Sequence, residues 1–341
     1  MRKLTIFIVA IFSIFMLNSC DTTVDIYSDG EEVTAVYGYL DVEADTNYVK
    51  ITKSFTGNAV DKAPDYKESN YDYKLDVKLV GKFAANPNMV RTVELDTTSV
   101  FKPYDPEGLF YSGRNQVLYY TAEKLLENEV YQLVINRKDG KAVTSKVKTI
   151  CGSTIRKPMY NISFETSSTN KIEWRSNQYN QLAAYYEVVG YFHYKQLDPG
   201  STDTTYHKMK WFFGSGTGES LYNSGTLNMS VNYTPSTFYT RLASDYNIVN
   251  NTEVYTRRFV DCFEIIVTST GEELHNYILI QNSGSAIMDT PEYTNIENGI
   301  GIFSSRSVCT KKIAVSEHSI NTLIREYPEW NFEKIVGNYT K

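Results

Sequence analysis

The chain has 341 residues, 40 acidic side chains against 34 basic ones, and a formal net charge of −6. That balance argues against a nucleic-acid binder, which needs a basic surface to meet phosphate. A hydrophobic content of 42% excludes a disordered chain, and the length accommodates about two domains. The compositional outlier is tyrosine, with 28 copies. Tyrosine suits half-wet strands and recognition surfaces, so an all-β protein with many exposed faces is expected.

Arg2 and Lys3 open the chain and an apolar run follows from Leu4 to Leu17. The run is shorter than the roughly 20 residues a helix needs to cross a bilayer. A basic start before such a run has the layout of a signal peptide. It ends in Leu17-Asn18-Ser19-Cys20, with a small residue directly before the cysteine and a leucine three positions before it. This is similar to a bacterial lipobox. Residues 1–19 are read as the signal peptide and Cys20 as the lipidated first residue of the mature chain. Several acyl chains would hold it in the membrane, since one alone anchors only marginally. Loss of Arg2 and Lys3 takes the charge from −6 to −8. Residues 20–32 are polar and acidic with little to bury, and are expected to tether lipid to fold.

Strand signals begin at Val33. Residues 33–40 are β-rich, and in 47–55 Val49, Ile51 and Phe55 alternate with polar neighbours. A polar stretch, 56–70, separates them from further runs at 75–79, 90–95, 116–121, 131–135 and 142–150. Asp139-Gly140 marks a hairpin between the last two, and residues 122–127 form the single candidate helical turn. About seven short strands in 33–150 predict an immunoglobulin- or fibronectin-like sandwich in architecture.

The pattern breaks near Cys151-Gly152 and Pro158, so a second, β-rich domain with a few short helices is expected over 151–341. Strands are expected at 161–165 and 171–175. Residues 183–196 and 206–213 read as a long hairpin across a turn-rich loop. In it Tyr185, Glu187, Val189, Tyr191, His193 and Lys195 share one face. Gly214 to Gly218 reads as a flexible loop. Thr234-Pro235 starts a helix whose buried stripe is Phe238, Leu242 and Tyr246. Residues 257–268 form a strand with Phe259, Phe263, Ile265 and Val267 on one face. A helix over 271–281 follows, then a strand at 308–315. The closing helix, 316–327, is capped by Ser316, turns Ile320, Leu323 and Ile324 inward and stops at Pro328.

Chemistry is sparse. Besides Cys20 the chain holds Cys151, Cys262 and Cys309; at most one pair can form, and Cys262 with Cys309 could be neighbours or buried thiols. No C-x-x-C or H-x-x-x-H suggests a metal, so neither metal nor cofactor is expected. His193 and His207 could face each other across the hairpin, with Glu187 near, but read as surface strand residues. No G-x-S-x-G elbow or P-loop is present. Glu272 and Glu273 sit at a helix start, where the dipole accounts for them. No residue is assigned a catalytic role. The candidate binding residues are Tyr185, Tyr191, His193, Trp211 and Phe213, rings that could meet a glycan, a peptide or a flat partner surface.

Two stretches carry a family resemblance. VTAVYGYLDVEADTNYVKITKSF, 33–55, holds an extended Tyr-Val-x-Ile-x-Lys-x-Phe strand, and YTNIENGIGIFSSR, 293–306, a glycine-rich block. With the lipobox they resemble Bacteroidetes outer-membrane lipoproteins defined by a domain of unknown function. That resemblance implies an accessory of a TonB-dependent transporter, anchored in the outer membrane, and brings no site residues. Acidic residues after a lipidated cysteine accompany surface export in some such proteins, and Asp21, Asp25, Asp29, Glu31 and Glu32 form a diluted version of that pattern, so the cell surface is favoured over the periplasmic face. The expected function is ligand capture or partner docking without catalysis. The alternative is a surface adhesin or pilus-type subunit, and a third reading is a hydrolase lacking a recognisable motif.

Overall fold

The computed structural model describes residues 32–54, 69–83, 86–102, 114–165, 170–178, 181–250, 256–283 and 293–334. Cys20, the signal peptide and the tether up to residue 31 lie outside them, as does most of the polar stretch 56–70. Glu32 is already tied to the fold, 3.3 Å from Lys53 Nζ and 3.0 Å from Arg137 Nη2. Among the described residues no helix is long and apolar enough to cross a membrane.

The protein is mainly β with a few short helices. In chain order the first strands are β1 (Thr34–Leu40), β2 (Asn47–Lys53), β3 (Asp76–Phe83), β4 (Asn86–Glu94), β5 (Asp96–Lys102), β6 (Arg114–Thr121), β7 (Val130–Asn136) and β8 (Ala142–Lys148). There follow β9 (Ser153–Lys157), β10 (Asn161–Ile162), β11 (Asn170–Ser176), β12 (Tyr185–Leu197) and β13 (Thr204–Thr217). Helix α1 (Gly218–Leu221), strands β14 (Tyr222–Asn223) and β15 (Asn228–Tyr233), and helices α2 (Ser236–Leu242) and α3 (Tyr246–Val249) come next. The chain continues through β16 (Arg257–Thr270), α4 (Glu272–Ser283), β17 (Gly299–Val315), α5 (Glu317–Glu326) and β18 (Phe332–Glu333).

One sheet runs the length of the molecule in the order β13-β12-β16-β17-β1-β2-β6-β5. Two four-stranded sheets, β4-β3-β7-β8 and β14-β15-β11-β9, complete the architecture. The 17-residue β17 joins everything. Its first half pairs parallel with β1, from Thr34↔Gly299 to Leu40↔Ser305, and its second half antiparallel with β16, from Thr270↔Arg306 to Phe263↔Ile313. Alternation puts Phe303, Ser305, Ser307, Cys309, Ile313 and Val315 on one face of that strand. Phe303 enters a first core with Val36, Val49, Val77, Leu133 and Ile135. Ile313 and Val315 enter a second with Trp174, Phe192, Trp211, Phe238 and Phe263. Both small sheets therefore pack on the same face of the long one, as two sandwiches in a row.

The boundary near 150 divides two cores but not two sheets. Residues 293–305, expected with the second domain, seal the first core through Ile296 and Phe303. Gly301 permits this. Its φ is +108°, and a Cβ there would overlap the Val36 carbonyl oxygen. Gly190 serves the second core, because a Cβ would strike the rings of Phe213 and Phe263. The Asp139-Gly140 hairpin forms as expected, with Arg137 N–H donating to Lys141 O and Gly140 at φ +80°.

Several local expectations are corrected. Residues 122–127 are not helical. Their backbone is taken by side chains: Leu126 N–H donates to Tyr131 Oη and Leu126 O accepts from Thr149 Oγ1. Strand β5 escaped notice because its apolar residues, Val100 and Phe101, are exposed rather than alternating inward. Gly214 to Thr217 is not a loop but the end of β13, in register with β12 beyond a bulge at Val188/Val189. Tyr246 is 77% exposed, and Tyr239 takes the buried place beside Phe238 and Leu242. A bulge near Asp261 shifts the β12–β16 register, so Phe259 lies off the core-facing row and Arg258 is buried instead. Cys151, Cys262 and Cys309 are free thiols. Cys309 stands opposite Val267, five positions along β16 from Cys262, so these two are not neighbours.

Candidate functional site

The β12–β13 hairpin forms as expected and sorts the candidate binding residues. Tyr185, Tyr191 and His193 lie on the face of the long sheet away from both cores, half-buried. Tyr191 stands opposite Lys210 and Glu264, and His193 opposite Lys208 and Cys262. His193 Nε2 lies 3.0 Å from Glu264 Oε2, Lys312 Nζ is 3.8 Å from Glu264 Oε1, and Lys208 Nζ sits 4.7 Å from the Tyr191 ring centroid. This is a ladder of rings and charges that partner one another. Trp211 and Phe213 are corrections. They stack at 4.3 Å and face the second core, with Trp211 only 3% exposed. Alternation along β13 sends Lys208, Lys210 and Phe212 outward, and Phe212 is 47% exposed. His207 pairs with Tyr194, on the opposite side from His193, and stacks on that ring at 5.3 Å. The two histidines therefore do not face each other, and His193 meets Glu264 rather than Glu187.

A second candidate emerges only from the tertiary structure. Where β8, β13 and β16 end and β12 begins, a cavity of about 680 Å³ opens between the two sandwiches. Lys148 to Cys151 line it from the first, Gln181 to Ala184 and Thr217 to Glu219 from the second, and Gly271 to Glu273, His275 and Asn276 from the start of α4. Its size falls within the range of about 300–1,000 Å³ typical of small-molecule sites.

Backbone bonds fix this geometry. Gly271 N–H donates to Ser305 O at 2.7 Å, which sets the start of α4 against β17. Gly218 N–H donates to Ala184 O at 3.3 Å, and Thr217 Oγ1 caps α1 through Ser220 N–H. The middle of β17 supplies three buried hydroxyls, each with a partner. Ser304 donates to Glu273 Oε2 at 3.0 Å and accepts from Leu274 N–H. Ser305 donates to Leu40 O and accepts from Ile150 N–H. Ser307 donates to Glu43 Oε2. Behind the Cys151 segment Glu127 accepts from Gly152 N–H and from Gln178 Nε2.

The electrostatics follow from burial. Desolvation raises the Glu273 carboxyl above the ordinary glutamate range against the Ser304 bond, and it raises Glu43 against Ser307. The Cys151 thiol is pushed up to about 11, first by burial and then by the Glu127 charge, and donates to Gln181 Oε1 at 3.1 Å. It is a neutral thiol near pH 7, not an activated nucleophile. The His275 ring lies against Tyr185, centroids 5.0 Å apart and planes 14° apart. Among the described residues no three His, Cys, Asp or Glu side chains group as a metal site. The arrangement can seat a polar molecule by hydrogen bonds and ring contact.

The sequence singles out Cys151, Glu272 and Glu273 but gives them no shared role, and His275 carries no local signal. They come from separate segments, and no local spacing announces a site assembled by sheet register. Comparison with curated proteins gives no match. The chain matches the profile of an uncharacterised family, Domain of unknown function (DUF4249), over residues 21–312, and the protein belongs to that family.

Proposed function

We propose that this protein is a non-enzymatic, lipid-anchored accessory of a bacterial outer membrane. It captures a ligand or docks a partner beside a TonB-dependent transporter. The observation that carries the reading is Leu17-Asn18-Ser19-Cys20 at the end of a short apolar run. A thiol so placed is the group that lipid transfer modifies, and acyl chains on it give firm anchoring. Only twelve residues separate Cys20 from Val33, next to the first strand at Thr34, so the fold stands close to the leaflet. The resemblance of 33–55 and 293–306 to Bacteroidetes lipoproteins supports the transporter association, and the acidic residues after Cys20 support the cell-surface side. The outer face of the β12–β13 hairpin and the junction cavity offer surfaces for binding, and Cys151 is unsuited to nucleophilic chemistry.

Growth with labelled palmitate tests the anchor. Label is expected on the wild-type chain and absent from Cys20→Ser, which leaves the membrane fraction. A Cys20→Ser chain still held in the membrane overturns the anchor. Extraction in mild detergent tests the association: co-purification of a transporter is expected, and a monodisperse lipoprotein with none attached removes that part of the reading.

A further inference from the structure

We propose that the cavity between the two sandwiches binds a neutral, hydroxyl-rich ligand of the carbohydrate class, seated against the His275 ring. This deepens the reading of the chain as a binding protein and rests on it.

The lining decides the ligand class by elimination and by fit. The cavity is lined more by polar than by purely apolar side chains, so a greasy ligand would strip water from polar groups without replacing their hydrogen bonds. A strongly anionic ligand would meet Glu219 and Glu272 with Lys148 alone to answer them. A small, strongly cationic ligand would face Lys148 across the cavity and leave the Gln181 amide donor without an acceptor. What remains is a mixed set of acceptors and donors in which carboxylates are in excess. Glu219 and Glu272 offer carboxylate oxygens. Gln181, its carbonyl engaged by Cys151, keeps its amide nitrogen as a donor. Vicinal hydroxyls, each both donor and acceptor, satisfy such a set where simple ions do not. One ring face completes the fit. His275 lines the cavity and is backed at 5.0 Å by Tyr185, a rigid platform against which the C–H face of a sugar ring packs.

The test uses the full lipidated chain in a detergent without a sugar headgroup. It is titrated by calorimetry and saturation-transfer NMR with mono- and disaccharides of glucose, galactose, mannose and N-acetylglucosamine, and separately with Gly-Gly and putrescine. Saturable binding of at least one sugar is expected. His275→Ala and Glu272→Gln should each weaken it about tenfold, while His275→Phe, which keeps a flat ring, retains it. Thermal unfolding of each variant separates lost binding from lost folding. The proposal is overturned if no sugar of the panel binds, if only Gly-Gly or putrescine saturates the site, or if folded His275→Ala and Glu272→Gln bind sugar as the wild type does. Those outcomes leave the palmitate and co-purification results standing, so the ligand class and the anchored-accessory reading fail separately.

Discussion

Ser304 donates to Glu273 across 3.0 Å, and that bond ties α4 to the strand shared by both cores. The same oxygen of Ser304 accepts from Leu274 N–H, so one buried hydroxyl orders both the carboxylate and the first turn of the helix. The burial of that carboxyl has a pH signature, which the bond opposes. Burial raises the Glu273 carboxyl in the folded state. The folded state therefore prefers the protonated acid. This contribution is fully present below the unfolded pKa and is lost as pH rises through the folded value. Glu273→Gln keeps an acceptor for Ser304 and removes the ionisation. Its melting temperature is expected to gain on the wild type as pH rises from below the ordinary glutamate range, about 4, to neutrality. A constant difference across that range, measured by thermal scans in matched buffers, would show that Glu273 titrates alike in both states.

Arg258 is a buried charge of the second sandwich, with no exposed surface. Its guanidinium donates to Gln196 Oε1 at 2.9 Å, Trp330 O at 2.8 Å and Asn247 O at 3.0 Å. It thereby joins β12, α3 and the turn before β18. Arg258→Ala leaves these acceptors buried without a donor, at about 1–3 kcal/mol each. A total loss of about 3 kcal/mol or more is expected in urea unfolding. A change below about 1 kcal/mol would mean that water replaces the guanidinium.

Gly301 lets β17 approach β1. Gly301→Ala places a side chain at φ +108° against the Val36 carbonyl oxygen. A cost of about 1–3 kcal/mol is expected from the backbone strain, with more from the overlap. Hydrogen exchange should locate the damage: amides of β1 lose protection first, while β12 and β13 keep theirs.

The sorting of rings on β13 is open to a paired test. Trp211→Ala removes a core ring and should cost about 3–5 kcal/mol. Phe212→Ala removes an outward ring, 47% exposed, and should stay within about 0.5 kcal/mol. Equal effects in chemical denaturation would contradict the face assignment.

Much of the fold was legible because strand alternation is a local property. Val36, Val49, Leu133 and Phe192 advertise their buried faces by their spacing, and the Ser316 cap of α5 and the Asp139-Gly140 turn carry their own chemistry. Strand β5, exposed on its apolar residues, and the non-helical 122–127 were not legible, because their conformations are set by distant partners rather than by neighbours. The binding candidates fared alike. Tyr185, Tyr191 and His193 share a face by alternation, whereas placing Trp211 and Phe213 on the opposite, core-facing side needed the cross-strand register.

The sequence by itself determined the β class, most of the strands and the motif at Cys20, since each depends on residue type and short-range period. The tertiary structure alone decided that β17 passes through both cores, bringing Phe303 to one and Ile313 to the other. It alone set Glu273, His275, Cys151 and Gln181 around one cavity. The physical reason is that pairing such as Thr34↔Gly299 is chosen by the whole chain's burial and hydrogen bonding, a quantity that no window of sequence contains.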